Sequence, residues 1–166
     1  MGVKIEHKTL RNELPAIQKQ IGLANGAGVE VGVFGGEAAW LAAIHEYGCT
    51  IQTTPKQRRF LAKQGLKVGS VIKIPERSFL RAGYDQNRDA VVKKTAQIMA
   101  NVTTGKTTAR GLRQAVGEDL AGRIKEYAIN LDSPQNHPFT IEQKGSSNPL
   151  VDTGGMIGSI SWRYAK

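Results

Sequence analysis

Two periodicities divide the chain. Val29, Val31 and Val33 alternate with Glu30 and Gly32, and Ile160 and Trp162 alternate with Ser161 and Arg163. A period of two puts each set on one face of a strand, so VEVGVFGG (29–36) and SISWRY (159–164) are expected as half-buried strands. Elsewhere the apolar spacing is close to 3.6. Leu10, Leu14, Ile17, Ile21 and Ala24 make one helical stripe over Thr9 to Ala24. Pro15 bends or delays that helix, and Gly22, Gly26 and Gly28 end it. Ala38 to Tyr47 reads as a short helix with Trp40, Leu41, Ile44 and Tyr47 as its apolar positions and Gly48 as its stop.

Thr54-Pro55-Lys56-Gln57 is a helix start in which threonine caps, proline suits the first turn and glutamine completes a capping box. That helix stops at Gly65. Leu66 to Ile74 returns to strand, broken at Gly69-Ser70 by a turn. Tyr84, Arg88, Val91, Val92, Thr95, Ile98, Met99 and Val102 then share a face of a long helix. Leu112, Ala115, Val116, Leu120, Ile124 and Tyr127 do so on a second. The polar TTGKT turn between them is short enough to lay the two helices antiparallel. From Asn130 the composition turns to Pro, Gly, Asn and Ser, an extended loop region with a strand expected at Phe139-Thr140-Ile141. The whole predicts a single α+β domain over residues 1–166: a small, mostly antiparallel sheet packed against a long antiparallel helix pair, with extended loops. Short strands leave exposed edges, which suits an oligomer built by strand addition or helix docking.

The joint between the two periodicities is Val71 to Arg81 (VIKIPERSFLR). Ile72 and Ile74 alternate, Pro75 ends the strand, Glu76 and Arg77 form a charged turn, and Phe79 and Leu80 are buried to anchor the long helix. Arg77 and Arg81 are expected to face outward.

Charge adds a second feature. The chain is formally +9, and between Thr54 and Arg81 stand Lys56, Arg58, Arg59, Lys63, Lys67, Lys73, Arg77 and Arg81 against Glu76 alone. Such a field attracts a polyanion or an acidic protein; the plainer alternative is a solvated basic face. One cysteine, Cys49, excludes an internal disulfide framework. No apolar run is long enough to span a membrane, and the first residues lack the apolar core of a signal peptide.

Catalytic patterns are incomplete. His45-Glu46-Tyr47-Gly48-Cys49 opens like a zinc motif, but Cys49 stands in place of the second histidine and Gly48 ends the helix before it. His45 is more simply a structural hydrogen-bonding residue beside Trp40 and Tyr47, and His7 and His137 have no spacing logic. Gly105-Lys106-Thr107 resembles the end of a phosphate loop, yet the glycine required five residues earlier is Ala100. Ser146, Ser147 and Ser159 have no nucleophile-elbow context. Aromatic residues are too few for a base-stacking platform, so any contact with DNA is nonspecific and electrostatic.

Three segments in order carry a resemblance: VEVGVFGGEAAWLAAIHEYG, TPKQRRFLAKQG with IPERSFLR, and TIEQKGSSNPLVDTGGMIGSISWRY. Together they resemble the virion morphogenesis or tail-completion (head–tail joining) proteins of tailed bacteriophages. Ile44, His45, Glu46, Tyr47 and Gly48 match the first motif. Ile74, Pro75, Arg77, Phe79, Leu80 and Arg81 match the second, with Ser78 where many relatives carry proline. Pro149, Leu150, Val151, Asp152, Thr153 and Gly154 match the third, with Gly155 where relatives carry a larger or basic residue. Asp152-Thr153-Gly154 itself reads as a turn in which Asp152 accepts local backbone hydrogen bonds and Gly154 takes a positive φ.

The resemblance implies a non-enzymatic structural protein without metal or cofactor. It would be made in the host cytoplasm and built into the virion at the neck or head-proximal tail end. It implies self-association into a ring, expected as a hexamer, that meets tail-tube or tail-terminator proteins on one side and connector or portal proteins on the other. The basic segment 54–81 would then face either packaged DNA or an acidic neighbour. The alternatives are another minor tail or connector protein, or a basic nucleic-acid-binding module.

Overall fold

A computed structural model describes residues 13–26 and 28–165; His7 and the opening residues of the first expected helix lie outside them. Helix α1 (Leu14–Asn25) starts where Pro15 fits its first turn, so the proline begins the helix and bends nothing. Strand β1 (Val29–Val33) leads into α2 (Gly36–Tyr47), then β2 (Cys49–Gln52), α3 (Pro55–Lys63) and β3 (Val71–Ile74). The long pair follows as α4 (Leu80–Thr103) and α5 (Ala109–Asn130), then α6 (Pro138–Lys144), α7 (Gly155–Gly158) and β4 (Ile160–Tyr164).

The fold class is the expected one: a mostly helical α+β chain with antiparallel strand pairing against α4 and α5. Cross-helix partners fix the direction of the pair. Gly83 lies against Ile124 and Tyr127, Asn87 meets Arg123, and Lys94 meets Asp119, so rising numbers on α4 oppose falling numbers on α5. Strands form two separate ladders of two strands each. β1 pairs with β4 in the register Val31 to Trp162, and β2 pairs with β3 in the register Ile51 to Ile72.

The core collects Ala42 of α2, Val91 of α4, Leu120, Ile124 and Ala128 of α5, Met156 and Ile157 of α7, and Ile160 of β4 around Phe79, which is completely buried. Gly117 of α5 makes room for the β1–β4 ladder: a Cβ there would stand 2.5 Å from the Trp162 ring. Phe79 thus anchors the start of the long helix as its sequence position suggests, and Leu80 packs partly buried against the same cluster.

Four expectations change. Residues 66–68 are not strand, so β3 is only its second half, and its partner is β2, where no strand was expected. Phe139-Thr140-Ile141 is helical. Pro138 at the first turn, His137 Nδ1 accepting from Phe139 N–H, and Gly145 in the left-handed region define a short helix that overrides its β-rich composition. On α2 the buried positions are Ala42 and Glu46, whereas Trp40 and Tyr47 are each about two-thirds exposed. On α4, Tyr84 and Val92 are exposed and Val91 and Val102 carry the burial.

Candidate functional site

The residues of the three motifs converge on one polar hub. α4 begins at Phe79, whose side chain cannot cap a helix, so the free N–H groups of its first turn need an acceptor from elsewhere. Glu46, on the last turn of α2, supplies it. Its Oε2 accepts from Phe79 N–H and Leu80 N–H, both at 2.8 Å, and its Oε1 from Arg81 N–H at 3.1 Å and the Ser78 hydroxyl at 2.9 Å. The residue is only 2% exposed. Burial by itself would raise its pKa. The donors on Leu80, Arg81 and Ser78 outweigh that and hold the carboxyl below its ordinary value. An anion at the positive end of a 24-residue helix gains further from the aligned peptide dipoles.

Arg81 closes the outer side. Its Nε donates to Glu46 Oε1 at 2.9 Å, its Nη2 reaches Glu46 O and Glu76 Oε1, and its guanidinium lies 4.8 Å from the centre of the Tyr47 ring. Its pKa is raised, first by the hydrogen bond to Glu46. Half of the side chain remains exposed, but its hydrogen bonds are spent within the hub.

Arg77 is the largest correction. It is buried, 3% exposed, and does not face outward. Its backbone N–H donates to His45 O at 2.7 Å. Its guanidinium donates through Nε to Pro134 O at 2.7 Å and through Nη2 to Gln135 O and Asn136 Oδ1 at 3.1 and 3.0 Å. Burial draws its pKa down from the usual value. Asn136 passes the connection on, its Nδ2 lying 3.5 and 3.4 Å from the carbonyls of Asn148 and Pro149. Asn148 Oδ1 in turn accepts from Leu150 N–H and Val151 N–H, while Lys144 Nζ donates to Asn148 O. Glu46 and His45 thus join the first motif to the second, and Arg77, Asn136 and Asn148 join the second to the third.

In the third motif, Pro149 and Leu150 are buried and Gly154 has the expected positive φ of 80°. The turn is shaped by Asn148 and by Thr153, whose Oγ1 accepts from Gly155 N–H, and not by Asp152, which is exposed. Gly48 has an equally local reason. Its φ is +70°, and a Cβ there would lie 2.9 Å from both Ile74 O and Glu76 N, so the end of α2 and the turn around Pro75 meet backbone to backbone.

His45 is half-buried with Arg77 Nη1 at 3.5 Å from its Nδ1, rather than grouped with Trp40 and Tyr47. Burial first, then the charges of Arg77 and Lys144, lower its pKa to about 4. It is a neutral, weakly basic ring at pH 7. It borders two cavities: one of about 230 Å³ with Leu41, Lys144 and Pro149, and one of about 460 Å³ with Ile72, Ile74, Arg77 and Asn136, the second within the roughly 300–1,000 Å³ range of ligand pockets. Among the described residues no group of three or more His, Cys, Asp or Glu could hold a metal ion, and every buried side-chain nitrogen and oxygen has a hydrogen-bond partner. Nor is any helix among them long and apolar enough to cross a membrane.

The eight basic residues separate into two sets. Arg77 and Arg81 belong to the hub. Lys56, Arg58, Arg59, Lys63, Lys67 and Lys73 lie on the β2–α3–β3 excursion, where the capping box at Thr54 and Gln57 forms as expected. Arg58 is turned inward, donating from Nη1 to Thr53 O at 2.7 Å. Lys56, Arg59, Lys63, Lys67 and Lys73 are exposed. Sequence reasoning missed Asn136, Lys144 and Asn148 as parts of the hub. The available signal for the hub was a long helix without a capping residue, which demands a distant acceptor. No known protein family, curated protein or solved structure matches this chain.

Proposed function

We propose that this chain is a non-enzymatic structural subunit of a tailed-phage virion. It assembles as a ring at the neck or the head-proximal end of the tail, completing the tail and joining it to the head. The observation that carries the reading is the hub. The three segments whose order resembles tail-completion proteins are distant in sequence, yet Glu46, Arg77, Asn136 and Asn148 tie them together. Their hydrogen bonds go mostly to backbone N–H and carbonyl groups, and otherwise to Ser78, Arg81 and one another, so they fix the meeting of the three segments.

Two features suit a ring. Each ladder has only two strands, so each strand keeps an outer edge open to pairing with another chain. α2 also presents Trp40, Ala43, Ile44 and Tyr47 at helical spacing, with Trp40 and Tyr47 prominently exposed, a surface that a neighbouring subunit would cover. Deleting the gene from the phage that encodes it tests the role directly. The reading expects filled heads and separate tails in the lysate, with joining restored by the added protein. Normal yields of joined, infectious particles would exclude it. A second reading, a basic nucleic-acid-binding module, is favoured by the charge on the β2–α3–β3 excursion.

A further inference from the structure

The β2–α3–β3 excursion is an arm. From Cys49 to Ile74 only Thr53 is buried, α3 buries none of its residues, and α3 packs only sparsely on the rest of the fold. The arm is held from within: Thr53 N–H donates to Ser70 O, Thr53 Oγ1 to Gly69 O, and Arg58 to Thr53 O. It contains six lysines and arginines and no aspartate or glutamate, so it supplies 6 of the 9 net positive charges of the whole chain. None of the ion pairs among the described residues includes Lys56, Arg59 or Lys63.

Position along α3 organises this charge. Lys56, Arg59, Phe60 and Lys63 fall at i, i+3, i+4 and i+7, one face of the helix, and line a single shallow cavity. Seven residues of helical rise place the backbone positions of Lys56 and Lys63 about 10 Å apart along the axis, comparable with the ~12 Å width of the major groove of B-form DNA.

We propose that this arm is a sequence-independent binding surface for double-stranded DNA, with Lys56, Arg59 and Lys63 on backbone phosphates. An acidic protein is the competing partner, and the distribution of apolar surface disfavours it. A protein interface needs an apolar centre. Here Phe60 is the one large exposed apolar side chain of the basic stripe, and the arm's apolar cavity, bordered by Leu66, Val68, Ile72 and Ile74, opens towards His45 and Asn136 and shares no residue with that stripe. One aromatic ring is also too few to stack the bases of a single strand. The inference rests on the arm alone, so DNA binding and ring assembly can fail independently.

The test is fluorescence anisotropy of the full chain with a labelled duplex of arbitrary sequence, about 20 base pairs long, titrated between about 50 and 200 mM salt. Three phosphate contacts give a log–log slope near −2.7 and a loss of roughly 40-fold in affinity over that range. The variant K56Q/R59Q/K63Q should flatten the slope by about that amount while its circular dichroism is unchanged. R88Q/K93Q/K106Q, which removes the same charge from α4 and the turn after it, should leave most of the binding in place. Equal losses in both variants would show that net charge, and not the arm, binds DNA. Tighter binding of polyglutamate than of the duplex would assign the arm to an acidic protein. Either result overturns the proposal, as does the absence of DNA binding at the lowest salt.

Discussion

Glu46 Oε2 lies 2.8 Å from the backbone nitrogens of both Phe79 and Leu80, so one carboxylate oxygen caps a helix that starts more than thirty residues later in the chain. The packing of α2 on the start of α4 is therefore set by a charged hydrogen-bond cluster as well as by Phe79 in the core. Replacing Glu46 by alanine leaves the N–H groups of that first turn and Arg81 Nε without their acceptor, and should cost about 3 kcal/mol, chiefly from the buried N–H groups. E46Q keeps the shape but loses the charge and one acceptor oxygen, for a smaller loss of about 2 kcal/mol. Urea unfolding at neutral pH measures both; unchanged midpoints would remove the hub from the account.

Arg77 reads three acceptors on the 134–136 loop with a rigid planar fork, which a lysine ammonium cannot do. R77K should therefore lose about 2 kcal/mol. It should also speed amide hydrogen exchange through 131–137 and 148–151 more than through α5. Uniform acceleration across the chain would mean that Arg77 stabilises the fold without organising this loop.

Two glycines should respond to alanine with opposite signs. At Gly48 a methyl group meets backbone at 2.9 Å and the φ of +70° is left-handed, so G48A should cost about 2–3 kcal/mol. Gly122 lies exposed within α5 with nothing within 4 Å of an added Cβ, so G122A should stabilise by about 0.5–1 kcal/mol. Thermal melting of the two variants checks the pair.

The pH dependence follows from His45 and Glu46. The folded pKa of His45 is depressed to about 4 from 6.5, so the unfolded chain takes up the proton first as pH falls. Stability should therefore decline from about pH 6.5 towards 4, by less than the full shift implies because the half-buried ring is partly screened by solvent. Glu46 has a carboxyl pKa below its unfolded value of 4.5, so its contribution is lost only below about that pH. Between pH 6.5 and 5 the decline belongs to His45, and H45Q should remove most of it. A decline of equal size in H45Q would locate the titrating group elsewhere.

The regular elements were legible because they follow from neighbours in sequence. The alternation of Val29, Val31 and Val33, the capping box at Thr54 and the stripe through Leu112, Leu120 and Ile124 each carry their own signal. Where a local cap competed with composition, at Pro138 to Lys144, the cap decided and the β-branched residues misled. β2 was missed because a four-residue strand with one half-buried and three exposed positions has no alternation to show. The hub was legible only as motif letters. An arginine whose partners stand 57 to 59 positions away looks in sequence like any surface arginine, and its burial depends on the loop it meets.

The central claim is assembly into a closed ring in the virion. Native mass spectrometry of the purified chain, alone and after mixing with tail tubes and connectors of the phage proposed to encode it, tests it most directly. A ring subunit gives one discrete species at an integer multiple of the subunit mass, seen by negative stain as closed rings in solution or at tube ends. A chain that remains monomeric with those partners present would contradict it.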